Sequence, residues 1–139
     1  MPKPTAGYSG KPLSAKLGVA EGATVTTITA PPEYETLLRP PAGVRLTPRL
    51  VAGASFVHIF SKSRADLASS LARVRKAMAP DGVIWVSWPK KASAVKTDIT
   101  EDTIRELAFP LGLVDIKVCA VDETWSGLKL MIRREERRG

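Results

Sequence analysis

Two short stretches concentrate groups that could hold an anion. Ser61-Lys62-Ser63-Arg64 and, further on, Trp88-Pro89-Lys90-Lys91 each follow a nearly continuous apolar run. Hydroxyls and cations gathered in this way donate charge-assisted hydrogen bonds, which suit a phosphate or a carboxylate. A second constellation, Asp122-Glu123-Thr124-Trp125-Ser126-Gly127, sets two carboxylates beside an indole. Adjacent carboxylates can hold a cation or share acid and base duties, although Asp, Ser and Gly also recur in turns for backbone reasons alone.

Other reactive residue types carry less. His58 lies inside an apolar run, where a histidine is expected to be a hydrogen-bonded core residue. A Ser87, His58, Asp122 triad can be drawn, but no Gly-x-Ser-x-Gly elbow accompanies it. Cys119, the single cysteine, allows no internal disulfide and no cysteine metal cluster, so no metal site is expected. It reads as a small buried hydrophobe. Gly7-Tyr8-Ser9-Gly10-Lys11-Pro12 has two residues between its glycines and a proline after its lysine, which excludes a Walker phosphate loop.

The anion-holding stretches need elements to position them. Ala23 to Thr29 is β-branched and predicts a strand, ended by Pro31-Pro32, with a short helix over 32–38. A short helix also precedes it, over 13–17, closed by Gly18. Val44 to Thr47 is a brief strand broken by Pro48. Ser55 to Phe60 and Val83 to Trp88 read as strands covered on both faces. Between them Leu67, Leu71, Val74 and Met78 recur at helical spacing, and Pro80-Asp81-Gly82 predicts a turn. This is a βαβ unit with a right-handed crossover. Thr100 is an expected N-cap for a helix that buries Ile104, Leu107, Ala108 and Leu111 and ends at Gly112. Val114 to Val121 and Leu128 to Ile132 alternate and predict an antiparallel pair. The fold class is therefore α/β: one small three-layer Rossmann-like domain over 1–139, with a mainly parallel sheet and an antiparallel terminal strand pair. Residues 1–12 form an N-terminal arm and 133–139 a charged tail expected to fray.

In an open α/β sheet, ligands bind beyond the carboxyl ends of the strands, near the switch in strand order. That rule brings Ser61, Lys62, Ser63, Arg64, Lys90 and Lys91 to one rim with Trp88 close by. Asp122, Glu123 and Trp125 are secondary candidates. No catalytic residue is assigned.

Composition narrows the partners. A net charge of +7 and a pI near 9.9 favour anions. Residues 62 to 96 carry eight Lys/Arg against Asp66 and Asp81, +6 of the total. The chain shows no leader-like apolar segment and no run long enough for a bilayer, so a cytoplasmic protein without membrane contact is expected. Nucleic acid is a further class to weigh, but no helix-turn-helix, zinc-knuckle or RNA-recognition signature follows, and Trp85 sits within an apolar strand rather than on a stacking surface.

The order of elements resembles the S-adenosylmethionine-dependent methyltransferase fold. Leu17-Gly18-Val19-Ala20-Glu21-Gly22-Ala23-Thr24-Val25 is similar to the lead-in to its first strand. Met78-Ala79-Pro80-Asp81-Gly82-Val83-Ile84 is similar to the loop into its fifth. More closely, Gly7 to Leu13, Trp85 to Lys91 and Val118 to Lys129 resemble a bacterial family of short methyltransferase-like proteins of unknown function. The resemblance implies a truncated version of that fold and brings no activity. Methyltransferases bind the cofactor over a glycine-rich turn after the first strand and hold its ribose with a carboxylate at the end of the second. Here those places read Thr29-Ala30-Pro31-Pro32-Glu33 and Thr47-Pro48. From Thr47 to Ser55 there is no room for the usual helix, strand and helix. No cofactor is therefore expected in the standard mode. The favoured expectation is a non-catalytic module for a small anion or an acidic partner. An S-adenosylmethionine-dependent methyltransferase with an unorthodox site, and nucleic-acid binding, are the alternatives.

Overall fold

The computed structural model describes residues 11–137. The glycine-containing segment before Lys11 and the last two residues lie outside the described residues. The chain opens with α1 (Leu13–Leu17), which Gly18 ends by taking a left-handed conformation, φ 83°, that lets its N–H reach back to Ser14 and Ala15. Then come β1 (Thr24–Ile28), α2 (Tyr34–Leu38), β2 (Arg45–Thr47), β3 (Ala54–Phe60), α3 (Arg64–Ala77), β4 (Met78–Pro89), α4 (Glu101–Ala108), β5 (Leu113–Ala120) and β6 (Trp125–Ile132). Six strands form one sheet in the order β2-β1-β3-β4-β6-β5. The first three pairings are parallel and the last two antiparallel.

The sheet carries a layer on each face. α3 and α4 cover one face through Leu67, Leu71, Val74, Ile104 and Ala108, packed on Val57, Ile59, Ile84 and Val86. α1 and α2 cover the other through Leu13, Leu17, Tyr34 and Leu38, packed on Val25, Phe60 and Trp85. Successive residues of β4 therefore serve opposite cores, as the pleat requires. Trp85 is fully buried on the α1 side, where its indole N–H donates to the Leu17 carbonyl at 3.0 Å.

The space from 48 to 53 has no helix and no strand. β2 is three residues long, and Thr47 stands level with Thr26 and hence with Val57 on β3. The chain must return only about 10 Å down and about 10 Å across to start β3, which six residues reach. Leu50 packs on the α3-side core in passing.

Two expectations are corrected. Pro80-Asp81-Gly82 does not separate helix from strand; β4 already pairs at Met78 with Ala54, and the ladder resumes at Phe56 with Val83. The turn signal is realised as a bulge within the strand. A Cβ on Gly82 would stand 3.0 Å from the Ala79 carbonyl oxygen and 3.1 Å from that of Ala54, so any other residue would have to push backbone aside at the bulge. The alternation of Val114, Ile116 and Val118 does not make a covered face: Ile116 and Val118 are 46% and 47% exposed. β5 is the outer strand, and a second bulge at Ile116 reverses which side its residues face. The described part of the charged tail makes contacts of its own. Arg133 donates to the Phe109 carbonyl at 3.0 Å, Arg137 to that of Ile132 at 2.7 Å, and Glu136 pairs with Arg133.

Among the described residues no helix is long and apolar enough to cross a membrane.

Candidate functional site

β1 leads to its left-hand neighbour β2, and β3 to its right-hand neighbour β4, so the strand order switches between β1 and β3. A cleft of about 440 Å³ opens there at the carboxyl ends of both strands. The turn after β1 contributes Thr29, Pro31 and Pro32; the end of β3 contributes Phe60, Ser61, Lys62 and Ser63. Asp66 and Ser70 enter from the first turns of α3, and Trp125 from the start of β6.

Each wall is fixed by local chemistry. Ser63 is the N-cap of α3, its hydroxyl accepting from the Asp66 amide at 3.3 Å. The Ser61 hydroxyl donates to the Ser63 carbonyl at 3.0 Å and accepts from the Ser63 amide. The Lys62 carbonyl takes the Thr97 hydroxyl at 2.8 Å and the Asp98 amide at 3.3 Å, while the Asp98 carboxylate accepts from the Arg64 amide at 2.7 Å. The Lys62 side chain stays exposed and makes no ion pair with the described residues. Across the cleft, Thr29 has φ 59°, a left-handed conformation that β-branched residues rarely adopt. The prolines beside it offer no N–H.

Aromatic rings floor the cleft. Trp125 meets Phe60 edge-on at 5.0 Å between centroids, and Phe60 stacks on His58 at 4.3 Å. His58 is fully buried between two hydroxyls. Its Nδ1 lies 2.8 Å from the Tyr34 phenol and its Nε2 2.7 Å from the Ser87 hydroxyl. Burial pushes the imidazole down from 6.5 to about 3 and the Tyr34 phenol above its ordinary range. The ring is thus neutral, sealed and satisfied, the core histidine expected from its strand. Ser87 and His58 do meet, but Ser87 is fully buried too. Asp122 is elsewhere, its carboxylate accepting from the Thr124 and Trp125 amides at 2.8 and 2.7 Å.

The predicted rim divides into parts. Ser61, Lys62 and Ser63 line the cleft. Arg64 turns to α4 and pairs with Glu106 at 2.8 Å. Lys90 and Lys91 border a second, shallower groove with Ala94, Val95, Lys96, Thr97 and Asp98. Trp88 is 8% exposed and belongs to the α3-side core with Ile99. Of the secondary candidates, Trp125 joins the cleft, Asp122 holds the turn that delivers it, and Glu123 is exposed. Sequence reasoning did not pick out Phe60, Asp66 or Ser70. The last two stand four apart on α3, so their shared face was readable from helical spacing. Cys119 is half-buried, and burial raises its thiol above the ordinary value.

Comparison with known proteins bears on the fold. LepI, solved in complex with SAM, matches with a TM-score of 0.54 and 16% identity over 87% of this chain. The chain spans 39% of LepI's length. Fibrillarin from Aeropyrum pernix, with natively bound S-adenosyl-L-methionine, matches at 0.51 and 14% identity, covering 90% of this chain and 70% of its own. A TehB-like SAM-dependent methyltransferase from Corynebacterium glutamicum matches at 0.51 and 12% identity, covering 92% and 91%. At such identities the likeness shows the fold, a methyltransferase-like Rossmann sheet. No curated protein matches the chain. A family model does, over residues 55–134, more than half of the chain and every strand from β4 onward, so the chain belongs to the family of proteins of unknown function DUF3052.

Proposed function

We propose that the chain is a non-catalytic binding module that takes a small anion with a planar apolar part in the cleft between β1 and β3. One observation carries this reading: the Lys62 ammonium, without an ion pair among the described residues, stands in a switch-point cleft floored by Phe60 and Trp125. A cation that fixes a charged end, beside aromatic faces that bury a flat one, is the usual composition of a small-molecule site. Besides Lys62, the charged group of the cleft is the exposed Asp66 carboxylate. The imidazole beneath the cleft is held neutral behind Phe60, and the Ser61 and Ser63 hydroxyls already serve the turn.

S-adenosylmethionine is the group against which this fold must be tested, and the residues do not fit its usual mode. The backbone after β1 carries a Cβ at its left-handed position, Thr29, followed by two ring nitrogens without hydrogens. β2 ends in Thr47, whose hydroxyl accepts from the Arg49 amide, with no carboxylate beside it.

Tryptophan fluorescence tests the reading, because Trp85 and Trp88 are buried and Trp125 is the indole in the cleft. Phenyl phosphate should change the emission saturably, and inorganic phosphate should compete weakly. Trp125→Phe should silence the response. Lys62→Ala should weaken binding about tenfold, the loss of one charge-assisted hydrogen bond. Tight binding of S-adenosylhomocysteine with no response to phenyl phosphate would replace this reading by the methyltransferase. Silence toward all three compounds would remove it.

A further inference from the structure

The groove bordered by Lys90, Lys91 and Lys96 is separate from the cleft and chemically unlike it. It holds about 550 Å³ and is broadly open. None of its three lysines forms an ion pair with the described residues. The groove's one carboxylate, on Asp98, is engaged by the Arg64 amide. Its Thr97 hydroxyl is engaged as well, donating to the Lys62 carbonyl, and in the same loop Ser93 donates to the Lys90 carbonyl at 2.6 Å. Between the lysines lies Val95, 36% exposed, next to Ala94, which takes a left-handed φ of 62°. Hydrogen bonds anchor the loop: Lys90 N–H donates to the Thr124 carbonyl at 2.7 Å, and the Val95 amide to the Ser93 hydroxyl.

We propose that this groove docks a short acidic segment of a partner protein, with carboxylates on Lys90, Lys91 and Lys96 and an aliphatic side chain on Val95. A small anion is poorly served here. No fixed hydroxyl is left to shape a pocket, and lysines act as flexible point charges. Nucleic acid is disfavoured by what flanks the lysines. A phosphate track calls for many cations in line, and single strands for aromatic platforms. Here Trp88, the indole of the strand that leads into the loop, is buried and offers no platform. Three cations around one aliphatic side chain fit a few carboxylates of a peptide.

Fluorescence anisotropy on the full chain tests this, with a labelled glutamate peptide carrying a central leucine and an oligothymidylate of equal charge. The peptide should bind in low salt and lose affinity as salt rises. The double charge reversal Lys90→Glu/Lys91→Glu should weaken it about tenfold or more, and Val95→Asp should weaken it as well. All three positions are at least partly exposed and outside the core, and thermal melting checks that the variants stay folded. Lys62→Ala should weaken the peptide far less than the groove reversal does, which separates this proposal from the cleft reading. Equal binding by the charge-reversed variant overturns the proposal. So does no peptide binding, or tighter binding of the oligothymidylate, which would assign the groove to nucleic acid.

Discussion

Thr29 stands where the chain leaves β1 for the cleft, and its backbone is one that favours glycine. A β-branched residue in the left-handed region stores about 1 kcal/mol or more. Thr29→Gly should therefore raise the stability of the protein, by up to about 1 kcal/mol after the entropy glycine gains in the unfolded chain. Urea unfolding measures this. A less stable variant would mean that the threonine side chain contributes contacts worth more than the strain. At this scale the sequence was partly readable. Ser61, Lys62 and Ser63 reached the cleft as the positional rule demands. Trp88 did not, because the pleat turns it with Ile84 and Val86 toward the core that Ile99 closes. Trp125 was legible as a candidate beside Asp122 and Glu123, but not as a wall of this cleft. Its place in the cleft depends on the Asp122 carboxylate that gathers two backbone amides and sets the turn.

Elements were more legible than sites wherever local chemistry and periodicity agreed. α3 follows from Leu67, Leu71 and Val74 on one face and from its Ser63 cap. α4 starts at Thr100 in a reciprocal capping box with Thr103 and has Glu101 and Asp102 in its first turn. Thr100→Ala should cost about 1 kcal/mol, read as a lower thermal midpoint, whereas Thr100→Ser should cost little. Arg105, bonded to Glu101, Asp102 and Asp115, ties this helix to β5 and keeps the Asp115 carboxyl below its ordinary range. The misreadings share a cause. Pro80-Asp81-Gly82 is local turn chemistry absorbed by a ladder that forms around it, and the bulge at Ile116 is set by register with β6. Pairing partners distant in sequence decided both, and periodicity within one segment carries no record of them.

For the molecule as a whole, the chain's single histidine contributes to its response to acid. In the unfolded chain the imidazole takes a proton near pH 6.5; folded, it refuses one until about pH 3. The unfolded state thus binds more protons throughout that window. Stability is fully present above pH 6.5 and falls as pH drops toward 3, by at most about 1.4 kcal/mol per pH unit from this group. Urea midpoints between pH 7 and 4 should decline in the natural protein and decline less in His58→Gln. Parallel curves would show that other groups govern acid unfolding. β2 is short enough for a direct return to β3 with no helix or strand between them, as expected from the space between Thr47 and Ser55.

The Lys62 carbonyl oxygen has a consequence for how the two candidate sites behave together. It belongs to the wall of the cleft, and the Thr97 and Asp98 groups that bond to it belong to the wall of the groove. One peptide unit is thus a party wall. If both proposals hold, two anions seated on either side of it would repel, and occupancy of one side would loosen the other. Thermodynamic reciprocity makes the penalty identical in both directions, however different the two affinities are. Added salt shortens the reach of that repulsion, so the sides grow more independent as ionic strength rises.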